Sequence, residues 1–344
     1  MNRDYWPTQA WRAADPEAVG MAAEPLSTLH REIEARYPTV NAFLVVRSGY
    51  LVFERYYNGF GPHDKHILAS VTKSVISALI GVAIDRGYIE SVQQPVLEFF
   101  PEYVPSPHDP LKRQITIEHL LTMTSGFAWR SGARAHELLV DRMRRSENWV
   151  QFVLDIPVRE RSFGSFQYNS GATHVLSAII TRSTGRCAEE FAAEQLFAPL
   201  GIEPPAPDAR HTFSQEDVFR NKAGGWPKDP QGNSIGGWGL VLKPRDMARF
   251  GYLYLNRGLW DGQQIVPEQW VEDSLTAHTP LYGYQWWLRK VNGVCVFSAV
   301  GQGGQHIFGL PEMDLVVAVA SKMGSRWRDC WRLLEKHVIP AVVG

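Results

Sequence analysis

The sequence predicts a mixed α/β domain of the α+β kind: an antiparallel sheet flanked by helices, with a mostly helical lobe inserted into it. Three observations predict it. A β-hairpin pattern lies near the start, helical patterns with long connections fill the middle, and strand patterns follow one another near the end. With 344 residues, 44% of them hydrophobic, the chain can bury a large core. It is read as one domain, with a sheet lobe over about 20–86 and 238–344 and a helical lobe over about 87–237.

Taken in order, residues 1–20 are polar and contain proline, which suits an extended surface arm. Pro25 starts a helical pattern with Leu26, Leu29, Ile33 and Tyr37 on one side. The runs Ala42–Val46 and Tyr50–Tyr57 read as strands on either side of Arg47-Ser48-Gly49, a short turn that makes them a hairpin. Gly61–His66 reads as a loop, and its two histidines have no matching ligand pair to suggest a metal. From Val75 to Ile84 the chain is apolar nearly all round, the mark of a buried helix, and Gly87 stops it. Short helices are predicted over Thr116–Met123 and about 146–155, and a longer amphipathic one over Ala172–Ser183, closed by Gly185; Arg161–Gln167 is read as a loop. The polar stretch at about 203–237 implies a lid or a surface excursion. Pro244 and Pro267 open two more helices, strands follow at Tyr284–Leu288, Val294–Ala299, His306–Leu310 and Leu315–Ala320, and a terminal helix covers about 326–338.

Chemistry concentrates where the apolar helix begins. Ser70 and Lys73 stand three residues apart, hence on one face of its first turn, beside backbone N–H groups with no helical partner. A serine hydroxyl needs a neighbour to take its proton. A lysine can do so when neutral, and desolvation favours that form. The helix N-terminus offers an N–H to a developing oxyanion. Ser-x-x-Lys is common by chance, but this is its single occurrence here, and a lysine so placed is costly without a role.

Net charge is −1 with both signs interspersed, so nothing points to nucleic acid or an anionic membrane as partner. The start lacks a signal-like pattern and no segment is apolar for a bilayer's width; a cytoplasmic location is expected. Cys187, Cys295 and Cys330 are few and widely spaced, as for buried thiols rather than a disulfide or zinc framework.

Five ordered stretches resemble the serine β-lactamase-like superfamily, in its branch of class C β-lactamases, family VIII carboxylesterases and aminohexanoate-oligomer hydrolases. They are Ser70-Val71-Thr72-Lys73, Leu120–Gly126, Tyr168-Asn169-Ser170, Gly236–Leu240 leading into Pro244-Arg245-Asp246, and Gly301–Gln305. The resemblance implies a β-lactamase/transpeptidase-like fold and a single catalytic domain without metal or other cofactor. It implies Ser70 as acylated nucleophile, Lys73 as base or relay, and Tyr168 as second acid/base. The backbone N–H groups of Ser70 and Gln302 would form the oxyanion hole, with Ser170, Trp238, Gly301 and Gly303 toward the substrate. Two departures matter: lactamases carry asparagine where Ser170 stands, and a lysine or histidine in the edge motif where this chain has Gly301-Gln302-Gly303. Carboxylic esters or simple amides of small molecules are therefore the expected substrates.

Other readings stand beside this one. A β-lactamase is one alternative; another, a D-amino-acid peptidase, would need a cation for the substrate carboxylate, for which Arg130, Arg134 and Arg161 are candidates. A silent scaffold of the same fold would need no catalytic residues, yet Ser70, Lys73 and Tyr168 are all present. Gly232-Asn233-Ser234-Ile235-Gly236 fits the nucleophile motif of α/β-hydrolases, but it lacks the strand before and the helix after. Of Trp129, Trp226, Trp238, Trp286 and Trp287, core packing is the default, and Trp238, inside a resembling motif, is the pocket candidate.

Overall fold

The computed structural model describes residues 3–129, 137–205, 224–324 and 327–343. Helix α1 (Ala23–Arg36) buries Leu26, Leu29 and Ile33, as their spacing predicts. Strands β1 (Val40–Arg47) and β2 (Tyr50–Tyr56) pair with Arg47 opposite Tyr50. Ser48 and Gly49, at φ 52° and 89°, form the tight turn between them. After β3 (His66–Ile67) a 3-10 turn, Ala69–Val71, leads straight into α2 (Thr72–Asp85). Then follow α3 (Ile117–Leu121), β4 (Ser125–Phe127), α4 (Leu138–Arg144), α5 (Trp149–Leu154) and β5 (Val158–Phe163). Helix α6 (Ser170–Thr184) starts on the Asn169 cap and ends at Gly185, left-handed at φ 73°. The remaining elements are α7 (Ala188–Ala192), β6 (Val241–Leu242), α8 (Pro244–Leu255), β7 (Leu259–Trp260), β8 (Gln263–Gln264), α9 (Glu268–Ser274), β9 (Trp287–Val291), β10 (Val294–Gly301), β11 (Gln305–Leu310) and β12 (Leu315–Ser321). A terminal helix runs through Trp331–Leu333, a π-helical Leu334–Val338 and Ile339–Ala341.

Six strands form one antiparallel sheet in the order β2-β1-β12-β11-β10-β9. The hairpin from the start of the chain thus pairs with the last strand. Alternation along the central strands splits the core in two. Ala42, Leu44 and Val46 with Val316, Ala318 and Ala320 face the cluster that includes α2 and α8. Phe43 and Val45 with Leu315, Val317 and Val319 face α1 and the terminal helix. Buried on both faces, β1, β12 and β11 form the middle of a wall.

Helix α2 is the axis of the larger cluster: every residue from Thr72 to Ala83 is buried. A Cβ on its Gly81 would lie 2.4 Å from the Trp270 indole of α9, so glycine here is a condition of contact.

Several expectations need correcting. The loop predicted at Gly61–His66 ends one residue early. His66 is fully buried in β3, which pairs with β6, and burial lowers its pKa to about 4 against the pull of Asp64. The supposed loop at Arg161–Gln167 begins as β5, paired with β4. The strand expected at Tyr284–Leu288 starts at Trp287, because Gln285 takes a left-handed φ of 64°. Within the polar stretch 203–237, residues 206–223 lie outside the described residues, but Trp226, Asp229, Ser234 and Ile235 are fully buried rather than on a surface excursion. Cys187 and Cys330 are buried thiols as expected, whereas Cys295 is exposed. Among the described residues no helix is long and apolar enough to cross a membrane, and no group of three His, Cys, Asp or Glu could hold a metal ion.

Replacing Gly81 by valine should force α2 and α9 apart. The expected loss is about 1–3 kcal/mol of unfolding free energy, seen as a lower urea midpoint. An unchanged midpoint would contradict the packing described.

Candidate active site

Ser70 sits in the 3-10 turn at the mouth of α2, partly exposed, while Lys73, one turn on, is 1% exposed. The turn is set by Ala69, which takes a left-handed φ of 47°, a strained conformation for a residue with a Cβ. Thr72 holds it: its hydroxyl donates to the Ala69 carbonyl at 2.7 Å and accepts the Leu240 N–H at 3.2 Å. Strand β10 presses on the same turn, since a Cβ on Gly301 would come within 2.3 Å of the Leu68 carbonyl oxygen. Its pairing with β9 ends at Ser298 and Trp287, so the last residues of β10 continue beyond β9 toward the serine turn.

Lys73 Nζ donates to three oxygens: Ser70 Oγ at 3.0 Å, Ser170 Oγ at 2.8 Å and the Gly237 carbonyl at 2.7 Å. Burial lowers the Lys73 pKa to about 8, although the Glu137 carboxylate favours its charged form. At pH 7 an amine with that pKa is neutral in about one molecule in ten, a cost of about 1.4 kcal/mol. Glu137 reaches the site through Ser170. Its Oε1 accepts the Ser170 hydroxyl at 2.6 Å; its Oε2 accepts the Ser170 N–H at 2.8 Å and the Trp129 indole N–H at 2.5 Å.

Tyr168 precedes α6, held where Gln167 N–H donates to the Met123 carbonyl at 2.7 Å. The Lys73 ammonium lies 4.8 Å from the Tyr168 ring centre, and the phenol hydrogen-bonds with Ser70. Burial raises the phenol's pKa, the Glu137 charge adds to it, and the Ser70 bond opposes it. Trp287 stacks on Tyr168 with ring centres 6.0 Å apart and planes 24° apart, and Phe166 and Tyr282 pack against Trp287 at 5.8 and 4.8 Å. An aromatic wall therefore stands beside the tyrosine.

Two buried polar groups tie the surrounding elements together. Gln285 donates to the carbonyls of Leu120 and Leu121, accepts the Thr173 hydroxyl at 2.9 Å, and takes the Ser74 hydroxyl on its own carbonyl at 2.7 Å. That joins α3, α6 and α2. His174 Nε2 meets Asp229 Oδ2 at 3.0 Å with both side chains fully buried. His174 Nδ1 accepts the Gly236 N–H at 3.4 Å, so Nε2 carries the hydrogen given to Asp229. The backbone N–H groups of Gln231 and Asn233 and the Asn233 side-chain amide complete the Asp229 set. This pair fixes the loop that brings the Gly237 carbonyl to Lys73.

Of the residues singled out in the sequence, Ser70, Lys73, Tyr168 and Ser170 come together. The Ser170 hydroxyl is engaged by Lys73 and Glu137 rather than left free on the substrate side. Gln302 and Gly303 lie in the turn between β10 and β11, with Gln302 exposed and Gly303 at φ 88°. Trp238 is partly buried and stacks on Trp149 at 6.0 Å; Trp129, Trp226 and Trp286 are core residues. Arg161 is exposed, and Arg130 and Arg134 lie outside the described residues. Ser234 of the Gly-x-Ser-x-Gly match is fully buried, its hydroxyl accepting the Glu189 N–H at 2.9 Å, which no attacking serine could afford. Sequence reading missed Glu137, Gln285, the carbonyl role of Gly237 and the stacking role of Trp287. A carbonyl oxygen has no sequence signature, and Glu137 stands 33 residues before its partner Ser170.

A six-stranded antiparallel sheet against a buried helix that opens with Ser-x-x-Lys defines a β-lactamase-like protein. The Beta-lactamase family model matches residues 30–335, and the chain belongs to that family. Over 97% of its length it is 28% identical to the 6-aminohexanoate-dimer hydrolase of Paenarthrobacter ureafaciens, covering 86% of that protein. Among solved structures, a family VIII carboxylesterase superposes with a TM-score of 0.67 at 16% identity, over 96% of this chain and 99% of the other. A penicillin-binding protein homologue from Pyrococcus abyssi gives 0.66 at 21%, over 92% and 76%. At those identities the two structures attest the fold.

The Asp229–His174 pair has a pH signature. Burial would raise the Asp229 carboxyl, but the hydrogen bonds from His174 and Asn233 hold it below its ordinary 3.8. Its stabilising share is thus present above that value and is lost as pH falls. Asp229→Asn should be less stable than wild type at pH 7 by about 1–3 kcal/mol. The gap in urea midpoint should narrow on acidification below about pH 4; a gap constant with pH would contradict the assignment.

Proposed function

We propose that the protein is a serine hydrolase that forms an acyl-enzyme on Ser70 and cleaves carboxylic esters or simple amides of small molecules. The observation that carries this is the 3.0 Å contact of Ser70 Oγ with an amine buried deeply enough to lose its proton near neutrality. Neutral Lys73 takes the Ser70 proton as Oγ attacks the carbonyl carbon. The oxyanion is received by the backbone N–H groups of Ser70 and Gln302, a role supported by the close approach of Gly301 to the serine turn. Collapse breaks the bond to the alcohol or amine, which leaves with a proton passed through Tyr168. Water, deprotonated by the same groups, then attacks the acyl carbon and frees Ser70.

The names of the relatives support this class, since one hydrolyses an aminohexanoate dimer and another is a carboxylesterase. Two features weigh against an anionic β-lactam or a peptide carboxylate as preferred substrate. The edge turn offers the uncharged Gln302, and the Glu137 carboxylate lies one hydroxyl away from Lys73. The aromatic wall of Phe166, Tyr168 and Trp287 suits an apolar acyl or leaving group, and Trp238 and Gly303 remain candidates for substrate contact.

The test is intact mass after incubation with a short-chain p-nitrophenyl ester and, separately, with a fluorophosphonate, followed by peptide mapping. An adduct on Ser70 is expected. An adduct on Ser234, or none with either probe, would overturn the proposal, the second result favouring a silent scaffold. Ser70→Ala should lower kcat by about a thousandfold or more, with Lys73→Ala nearly as severe. With p-nitrophenyl acetate, kcat/KM should rise through a midpoint near the Lys73 value of about 8, because the neutral amine is the active form. A flat profile between about pH 6 and pH 9 would remove Lys73 from the role of base.

A further inference from the structure

A neutral primary amine has two hydrogens and one lone pair, and only the lone pair can take a proton from serine. Lys73 Nζ has three oxygen neighbours, so the outcome depends on which two of them must receive a hydrogen. The Gly237 carbonyl can only accept. Ser170 has one hydroxyl hydrogen, and its Oγ is 2.6 Å from Glu137 Oε1 and 2.8 Å from Lys73 Nζ. Glu137 cannot turn away, because its other oxygen is held by the Ser170 N–H at 2.8 Å and by the Trp129 indole at 2.5 Å. A carboxylate only accepts, so the Ser170 hydrogen goes to Glu137 and Lys73 meets the Ser170 oxygen lone pair. Both amine hydrogens are then committed, and the one direction left for the nitrogen lone pair is Ser70.

We propose that Glu137 is a positioning residue for the Lys73 base: by taking the Ser170 hydroxyl hydrogen it makes Ser170 an acceptor and aims the Lys73 lone pair at Ser70. The inference rests on the acyl-enzyme reading above. In the step itself the O–H bond of Ser70 breaks and a third N–H bond forms on Lys73, with the electron pair left on Oγ for attack. Among the described residues, the titratable groups facing the Lys73–Glu137 pair are Tyr168, ahead of α6, and Tyr282, ahead of β9, both phenols kept neutral by burial.

The experiment is the rate of fluorophosphonate labelling of Ser70 against pH, in wild type, Glu137→Gln and Ser170→Ala, with urea midpoints as a check on folding. In Glu137→Gln the amide oxygen can still serve the Ser170 N–H and Trp129, but its NH2 then points at Ser170 Oγ and drives that hydrogen toward the Lys73 lone pair. The limiting rate should fall by about 10- to 100-fold. The acid limb should also move to lower pH, since the carboxylate that favours the ammonium is gone. Ser170→Ala removes the link together with an oxygen that accepts from the ammonium, so the limiting rate should again fall and the limb again move to lower pH. A folded Glu137→Gln with the wild-type rate and limb overturns the proposal, as does a rate loss with an unmoved limb, which marks Glu137 as a strut alone. If Glu137→Gln does not fold, Ser170→Ala decides by the same criteria. Wild type that is not labelled at Ser70 refutes instead the reading of Ser70 as nucleophile, and that failure is visible before any variant is made.

Discussion

Taking the Lys73 amine out of water is the constraint to which the neighbouring residues answer. A buried ammonium without partners costs several kcal/mol. Here three oxygens from three parts of the chain surround it, one in the turn that leads into its own helix, one at the start of α6 and one on the loop after Ser234. The result is an amine that is solvated by protein yet lowered to a pKa of about 8, so that charged and neutral forms are both within reach near neutral pH. Each oxygen must then be fixed in turn, and the buried network beyond them does this. Asp229 and His174 hold the loop of Gly237, Glu137 holds Ser170, and Gln285 clamps α2, α3 and α6.

This dependence explains what could be read in the sequence. Ser70 and Lys73 are legible because a spacing of three on an apolar helix is a local pattern with one geometric meaning. The sheet is legible for the same kind of reason, as Val40–Arg47 and Leu315–Ser321 are short, continuous apolar runs bounded by turn residues. Glu137, Gly237 and Gln285 act through contacts between distant segments, and two of the critical acceptors are main-chain carbonyls that every residue possesses. No period or spacing marks them.

The misreadings have physical causes of the same sort. Gln285 sits in an apolar, aromatic run that has strand propensity, but the amide needs a left-handed backbone to reach Leu120 and Leu121, and tertiary bonding overrides propensity. The stretch around Asp229 is polar by composition and still buried, because its polar groups satisfy one another around one carboxylate. Composition reports how much polarity a segment has, not whether that polarity is paired.

The sheet order carries one more consequence, for the route by which the chain folds. β1 is made long before its neighbour on one side, β12. Until β12 arrives, β1 presents an apolar, unpaired edge, and the wall against which the serine turn is pressed does not exist, because β10 and β11 join the hairpin only through β12. Pairings of such long sequence separation form slowly. The nascent hairpin and the apolar helix after it must therefore wait, exposed or chaperoned, until β12 has been made.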